Sequence, residues 1–151
     1  AFSNFNRSEG INYLKIEGIH FRNGEGGIFN LKGNYNKVLK CGFEDGMAEE
    51  NDYEAPIALI AGGSTNTLVE DCWVWGKGRY GLYTNSTAGG TRNIIFRRIV
   101  IRLDDTPSDF VCAGTRFYNA DTNVAQNVVV IDSEANNCNY FEGAFAMGGG
   151  S

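Results

Sequence analysis

Proline is nearly missing from this chain: two in 151 residues, against twenty glycines. That ratio suits tight corners where φ must be positive. Histidine is limited to His20, and no Ser-His-Asp or Cys-His arrangement is supported by spacing. No phosphate-cradling glycine loop is present either. The four cysteines form no CxxC pattern, which argues against a zinc site. Basic residues are not in excess: the net charge is −5, which disfavours a nucleic-acid partner. No apolar run is long enough to cross a bilayer as a helix, so no membrane partner is expected. No stretch has the period of a convincing amphipathic helix, which argues against leucine-rich and helical repeats. The first residues do not read as a signal peptide, although a trimmed chain would lack one anyway.

What the chain does have is a repeated strand phrase. Asn93-Ile-Ile-Phe-Arg-Arg-Ile-Val-Ile-Arg102 opens on asparagine, then sets Ile99 and Ile101 in alternation with Arg98, Val100 and Arg102. Period-two alternation with β-branched residues is the strand signal. Four more copies follow when each is anchored on two apolar or small residues one position apart. The anchors are Ile19/Phe21, Cys41/Phe43, Cys72/Val74, Ile99/Ile101 and Ser133/Ala135. They advance by 22, 31, 27 and 34 residues, and an asparagine precedes each: Asn12, Asn36, Asn66, Asn93 and Asn127. A second apolar phrase lies between copies, as in Gly27–Leu31, Ala55–Ile60, Tyr80–Tyr83, Ala113–Tyr118 and Phe141–Phe145. No single copy can bury its apolar face, whereas stacked copies can.

These Asn-led strands, Gly-rich strand starts and uneven periods resemble the right-handed parallel β-helix proteins of the pectate-lyase-like superfamily. The resemblance covers about residues 11 to 147 and implies an all-β, single-stranded parallel solenoid of about five turns. That architecture carries many activities, so it does not by itself name one. Residues 1–10 read as a partial turn or edge cover, and 148–151 as a Gly-rich tail or linker. The opening strand of a further turn at Phe141–Met147 suggests a fragment of a longer protein, or a unit that stacks end to end through open strand edges.

If the anchors point inward, their neighbours point outward. The outward columns are then His20, Gly42, Trp73, Val100, Glu134 and Arg22, Glu44, Trp75, Arg102, Asn136. A third column, Lys40, Asp71, Arg98, Asp132, alternates in sign. It reads either as an exposed ion-pair ladder or as part of a substrate face. Cys41 and Cys72 share an anchor column and are expected as stacked buried thiols. Cys112 and Cys138 fall outside the repeat and either pair or stay free.

Two outward tryptophans on one strand imply a covering loop or a stacking ligand. Sugar rings stack on flat aromatic faces. Arg22, Arg102, Lys77 and Arg79, with Tyr80, stand near to hold carboxylates or sulfates. Asp104, Asp105 and Asp109 lie in an expected lip after the fourth copy, where two carboxylates suit glycoside hydrolysis. The Asp104-Asp105 pair resembles the paired aspartates of β-helix polygalacturonases. No Asn-Thr-Asp, Gly-His-Gly or Arg-Ile-Lys phrase accompanies it. A lyase would need a base: Arg98, Arg102 or Arg116 beside calcium on Asp104 and Asp105 would supply one in principle. The acidic run Glu44–Glu54 reads as a solvated loop or, alternatively, as a calcium site. Two functions therefore stand open. One is an extracellular or cell-surface polysaccharide-interacting module, with a lyase or hydrolase acting on a uronate-containing polymer as its catalytic form. The other is a non-catalytic structural or adhesive solenoid.

Overall fold

The computed structural model describes residues 5–7, 10–22, 28–46, 56–84, 90–104, 108–118, 120–131, 138–141 and 145–148. Side chains are described within 10–22, 28–46, 57–84, 90–104, 114–117 and 122–131. Among these residues the chain is all-β, with no helix. The strands begin with β1 (Phe5–Arg7), β2 (Lys15–Glu17), β3 (His20–Arg22), β4 (Phe29–Leu31), β5 (Lys37–Leu39) and β6 (Gly42–Glu44). Next come β7 (Pro56–Ile60), β8 (Leu68–Glu70), β9 (Trp73–Gly76), β10 (Tyr80–Thr84), β11 (Thr91–Arg92) and β12 (Ile95–Leu103). The last are β13 (Ser108–Tyr118), β14 (Ala120–Asp121), β15 (Val124–Val130), β16 (Cys138–Phe141) and β17 (Phe145–Gly148).

Strands that pair are never consecutive in the chain, and every pairing among the described residues is parallel. One ladder runs β2-β5-β8-β12 and a second runs β3-β6-β9-β12, since β12 is long enough to serve both. β15 then pairs with β12 along its length. The other large sheet runs β1-β4-β7-β10-β13-β16, with β17 also on β13. Phe5–Arg7 add a strand beside β4, and Gly148 is the last residue of β17, beside Tyr118.

Register explains why these short strands hold. The column Ile16, Val38, Val69, Phe96, Ala125 and the column Phe21, Phe43, Val74, Ile101, Val130 both face the core. Phe21 and Phe43 stack at 5.6 Å between ring centroids, and Phe29 from the other large sheet meets Phe43 at 4.9 Å. Each copy alone would leave these rings in water; laid in columns they are 2% exposed or less. Burial of such side chains is the main favourable term in folding.

The fifth copy corrects the sequence alignment. Ile99 and Ile101 face Val128 and Val130, not Ser133 and Ala135, which lie outside the described residues. The repeat from the fourth to the fifth copy is therefore 29 residues. The outward columns end in Val129 and Ile131 instead of Glu134 and Asn136, and the charged column ends in Asn127 instead of Asp132. An alternation template alone cannot separate these choices, because Val128-Val-Val130 runs on into Ile131 with no charged residue on either side.

Two corners repeat with the strands. Tyr13, Tyr35, Asn66, Asn93 and Thr122 all have φ between 52° and 59°, and so do Lys40, Asp71, Arg98 and Asn127 at the next corner, where the first copy has Gly18. Left-handed backbone costs a non-glycine residue about 1–2 kcal/mol, so nine such positions require strong tertiary support. That support is the ladder itself, since the same corner hydrogen bonds recur from copy to copy. The stretch Tyr13–Phe21 and its counterparts Tyr35–Phe43, Asn66–Val74, Asn93–Ile101 and Thr122–Val130 share one spacing. All differences in repeat length fall elsewhere.

The asparagines do not form one column. Asn36 is 1% exposed; its Oδ1 accepts from Leu14 N at 2.9 Å and its Nδ2 donates to Ile11 O at 2.8 Å. Asn12 Oδ1 accepts from Asn34 N, and Asn66 and Asn93 join in an exposed ladder that Thr122 extends. Asn127 belongs to the second corner. Asparagine recurs because it tolerates left-handed backbone and bonds its neighbours, not because one position demands it.

Cys41 and Cys72 are adjacent, buried and free, with Cys41 N 3.5 Å from Cys72 Sγ. The hydrogen bond with Cys41, then burial, pushes the Cys72 thiol far above its usual range. Cys112 faces Phe141 while Cys138 faces Ser108, so the backbone register offsets the two cysteines by about 10 Å along the strands. A disulfide between them is beyond reach.

Candidate functional site

The second ladder carries an outward face built of His20 and Arg22 on β3, Gly42 and Glu44 on β6, Trp73 and Trp75 on β9, and Val100 and Arg102 on β12. Val129 and Ile131 complete it. An open groove of about 240 Å³ crosses this face, lined by Trp73, Val74, Trp75, Val100, Arg102 and Ile131. Trp73 stands 55% exposed at its edge, Val129 is 50% exposed and Ile131 43%. Such a contiguous apolar patch marks an interaction surface more often than an isolated exposed side chain does.

The two tryptophans have different settings. Trp75 is half-buried because its ring lies across β6, where Gly42 leaves room. A Cβ at Gly42 would stand 3.1 Å from both Trp75 Cη2 and His20 Cδ2. The Trp75 ring meets the His20 ring at 5.0 Å. His20, separated from Trp75 by two copies in the sequence, is therefore part of this face. His20 Nε2 lies 2.9 Å from Glu44 Oε2, and Arg22 approaches the same oxygen at 3.8 Å. The signal for this cluster was Gly42, the only residue without a side chain in its outward column.

The expected cations are not aimed into the groove as a set. Arg102 is held by Asp104 at 2.8 Å, and Arg22 is directed at Glu44. Arg79 is buried with its guanidinium 4.8 Å from the Tyr80 ring; Tyr80 stacks on Tyr83 at 4.8 Å, and Arg116 lies 5.6 Å from Tyr80. That cluster belongs to the other large sheet, through β10 and β13. Arg79 and Tyr80 thus leave the tryptophan platform on which the sequence placed them. Lys77 is exposed at the end of β9, its backbone N bonded to Asp45 Oδ1.

The proposed catalytic set is not assembled by the described residues. Arg98 Nε and Nη2 grip Asp71 at 2.7 and 3.1 Å, and Arg98 also pairs with Glu70, which accepts from Arg97 as well. The Arg98 guanidinium holds the Asp71 carboxyl below the usual range, and Arg97, with Arg98, does the same for Glu70. These carboxylates in turn raise Arg98, the reverse of what a proton-abstracting arginine needs. Asp104 spends its carboxylate on Arg102. Asp105 lies outside the described residues. Asp109 sits within strand β13, not in a lip, and its side chain is not described.

The charged column is an ion-pair ladder between Asp71 and Arg98, with Lys40 reaching Glu17 at 3.7 Å. Among the described residues no group of three or more His, Cys, Asp or Glu side chains is placed to hold a metal ion. The calcium expectation at Asp104 therefore depends on Asp105, and that at the acidic run on residues 47–54, all outside the described set. No helix among the described residues is long and apolar enough to cross a membrane.

One aromatic pair had no sequence signal beyond its spacing. Tyr13 and Tyr35, 77% and 53% exposed, stack 5.2 Å apart with planes 5° from parallel. Comparison with protein-family models, with curated proteins and with solved structures gives no match to this chain.

Proposed function

We propose that this chain is a right-handed, single-stranded parallel β-helix of about five turns, similar to the pectate-lyase-like superfamily. Its tryptophan groove binds polysaccharide outside the cell or at its surface. The parallel pairing of non-consecutive strands and the constant spacing of the two corners support the solenoid. Handedness follows from the strong preference of parallel crossovers for the right-handed connection. The observation that carries the function is Trp73, more than half exposed beside an open groove whose other walls are Trp75, Val100 and Arg102. An exposed ring at a preformed concave site is how a protein presents a stacking surface to a sugar. The proposal is one of binding, since Arg98 and Asp104, the described members of the catalytic set, are both engaged in ion pairs.

The test is a glycan array probed with the wild-type chain and with Trp73→Ala and Trp75→Ala. Binding that disappears in the variants supports the platform; binding unchanged in both removes it.

A second reading, a structural or adhesive solenoid that stacks end to end, draws on β15. Among the described residues β15 pairs with β12 only, and it carries no charge. Its inward residues Val128 and Val130 are only partly buried, where Ile99 and Ile101 are fully buried. Sedimentation velocity over a range of concentrations decides this reading: elongated species that grow with concentration support it, and a single unchanging species rejects it.

A further inference from the structure

We infer that the groove takes an uncharged glycan, not a uronate or sulfated one. This inference rests on the carbohydrate reading above and narrows it. A polyanionic chain requires cations at regular intervals, preferably arginines offering bidentate contact. On this face the arginines already have acidic partners: Arg102 on Asp104 at 2.8 Å, and Arg22 toward Glu44 at 3.8 Å. Arg79, the remaining arginine expected there, is buried against Tyr80 on the other sheet. An anionic sugar would have to displace Asp104 or Glu44 to gain an arginine, exchanging one ion pair for another, and Lys77 past the end of β9 offers only a point charge without a bidentate fork.

The lining favours an uncharged occupant for a second reason. Apart from Arg102 it is apolar, and Val129 and Ile131, which sequence alignment would have replaced with Glu134 and Asn136, extend it. The groove crosses β9 and β12 and reaches Ile131, just past the end of β15. Neighbouring strands are about 4.8 Å apart, roughly the length of one pyranose unit. A glycan laid across the strands therefore sets one ring per strand: over Trp73, over Val100, and over Val129 and Ile131. The C–H faces of the rings meet apolar side chains, and their hydroxyls point to the rim and to water.

Affinity electrophoresis tests this with gels containing hydroxyethyl cellulose, glucomannan or mixed-linkage glucan on one side and polygalacturonate or a sulfated galactan on the other, at low and high salt. The expected result is retardation by at least one neutral polymer, insensitive to salt, with the affinity reduced ten-fold or more in Trp73→Ala and unaltered in Lys77→Ala. Far-UV circular dichroism checks that Trp73→Ala is folded. Retardation by an anionic polymer alone, weakened by salt and lost in Arg102→Gln, would overturn the inference while leaving carbohydrate binding in place. Retardation by none of the polymers would overturn both.

Discussion

Replacing Asn36 by alanine is expected to cost about 2–6 kcal/mol of folding stability. Asn36 is 1% exposed and joins two neighbouring copies through both ends of its amide. Alanine removes an acceptor for Leu14 N and a donor for Ile11 O in one change. Each backbone group left without a partner away from water costs about 1–3 kcal/mol, and two are affected. Some of the loss is recovered if water enters the small space left behind, which sets the lower bound. The assay is equilibrium urea unfolding followed by tryptophan fluorescence, with the slope against denaturant required to stay constant so that the midpoint reports stability. Asn66→Ala is the control: its described side-chain bonds are exposed, so its cost is mainly the left-handed backbone, about 1 kcal/mol. A loss below about 1 kcal/mol for Asn36→Ala, or one equal to that of Asn66→Ala, would refute the view that buried asparagine ties the copies together.

Three further outcomes follow from the same geometry. Gly33→Ala should destabilise by about 3–5 kcal/mol, read as a fall in the urea midpoint or failure to fold. A Cβ there would stand 1.9 Å from Ile11 O at φ +127°, and a stability within experimental error of wild type would contradict the corner. In a Cys112→Ser/Cys138→Ser background, Cys41 and Cys72 should stay silent to a thiol-specific chromogenic reagent until urea unfolds the chain; labelling of the native protein would place them outside the core. Asp71 and Glu70 titrate below their unfolded values, so their contribution is present above the ordinary carboxylate range, near about pH 4, and is lost as the pH falls through the folded values. Unfolding free energies measured from neutral to strongly acid pH should drop less steeply in Arg98→Gln than in wild type; parallel curves would show the ladder to be without effect.

Strand positions in the first four copies were legible because at least one charged residue flanks each anchor pair. Ile99-Val-Ile101 sits between arginines, and Cys41-Gly-Phe43 between Lys40 and Glu44. The fifth copy was not, since the valine run at Val128–Val130 fits either face, and only pairing with β12 selects one. The left-handed corners were invisible where tyrosine, lysine and arginine occupy them, for no local propensity puts those residues at positive φ. At the site, Trp73 and Trp75 were legible as outward residues on one strand. The approach of His20 to Trp75 was not, because it depends on Gly42 of an intervening copy leaving a gap. The ion pairs that occupy Arg98 and Arg102 needed the lateral register that sets Glu70 beside Arg97 and the local turn of Asp104.

The unequal periods divide the chain into two kinds of sequence. From Tyr13 to Phe21 and in each counterpart, a one-residue insertion would carry a left-handed corner out of line and turn the following core residue toward water. Between the end of β6 at Glu44 and the start of β7 at Pro56, the chain already spans more residues than between β3 and β4. Foreign peptides spliced into that second kind of segment would lengthen a connection without shearing the cassettes on either side. The protein thus offers a graftable connection between cassettes whose internal spacing is locked.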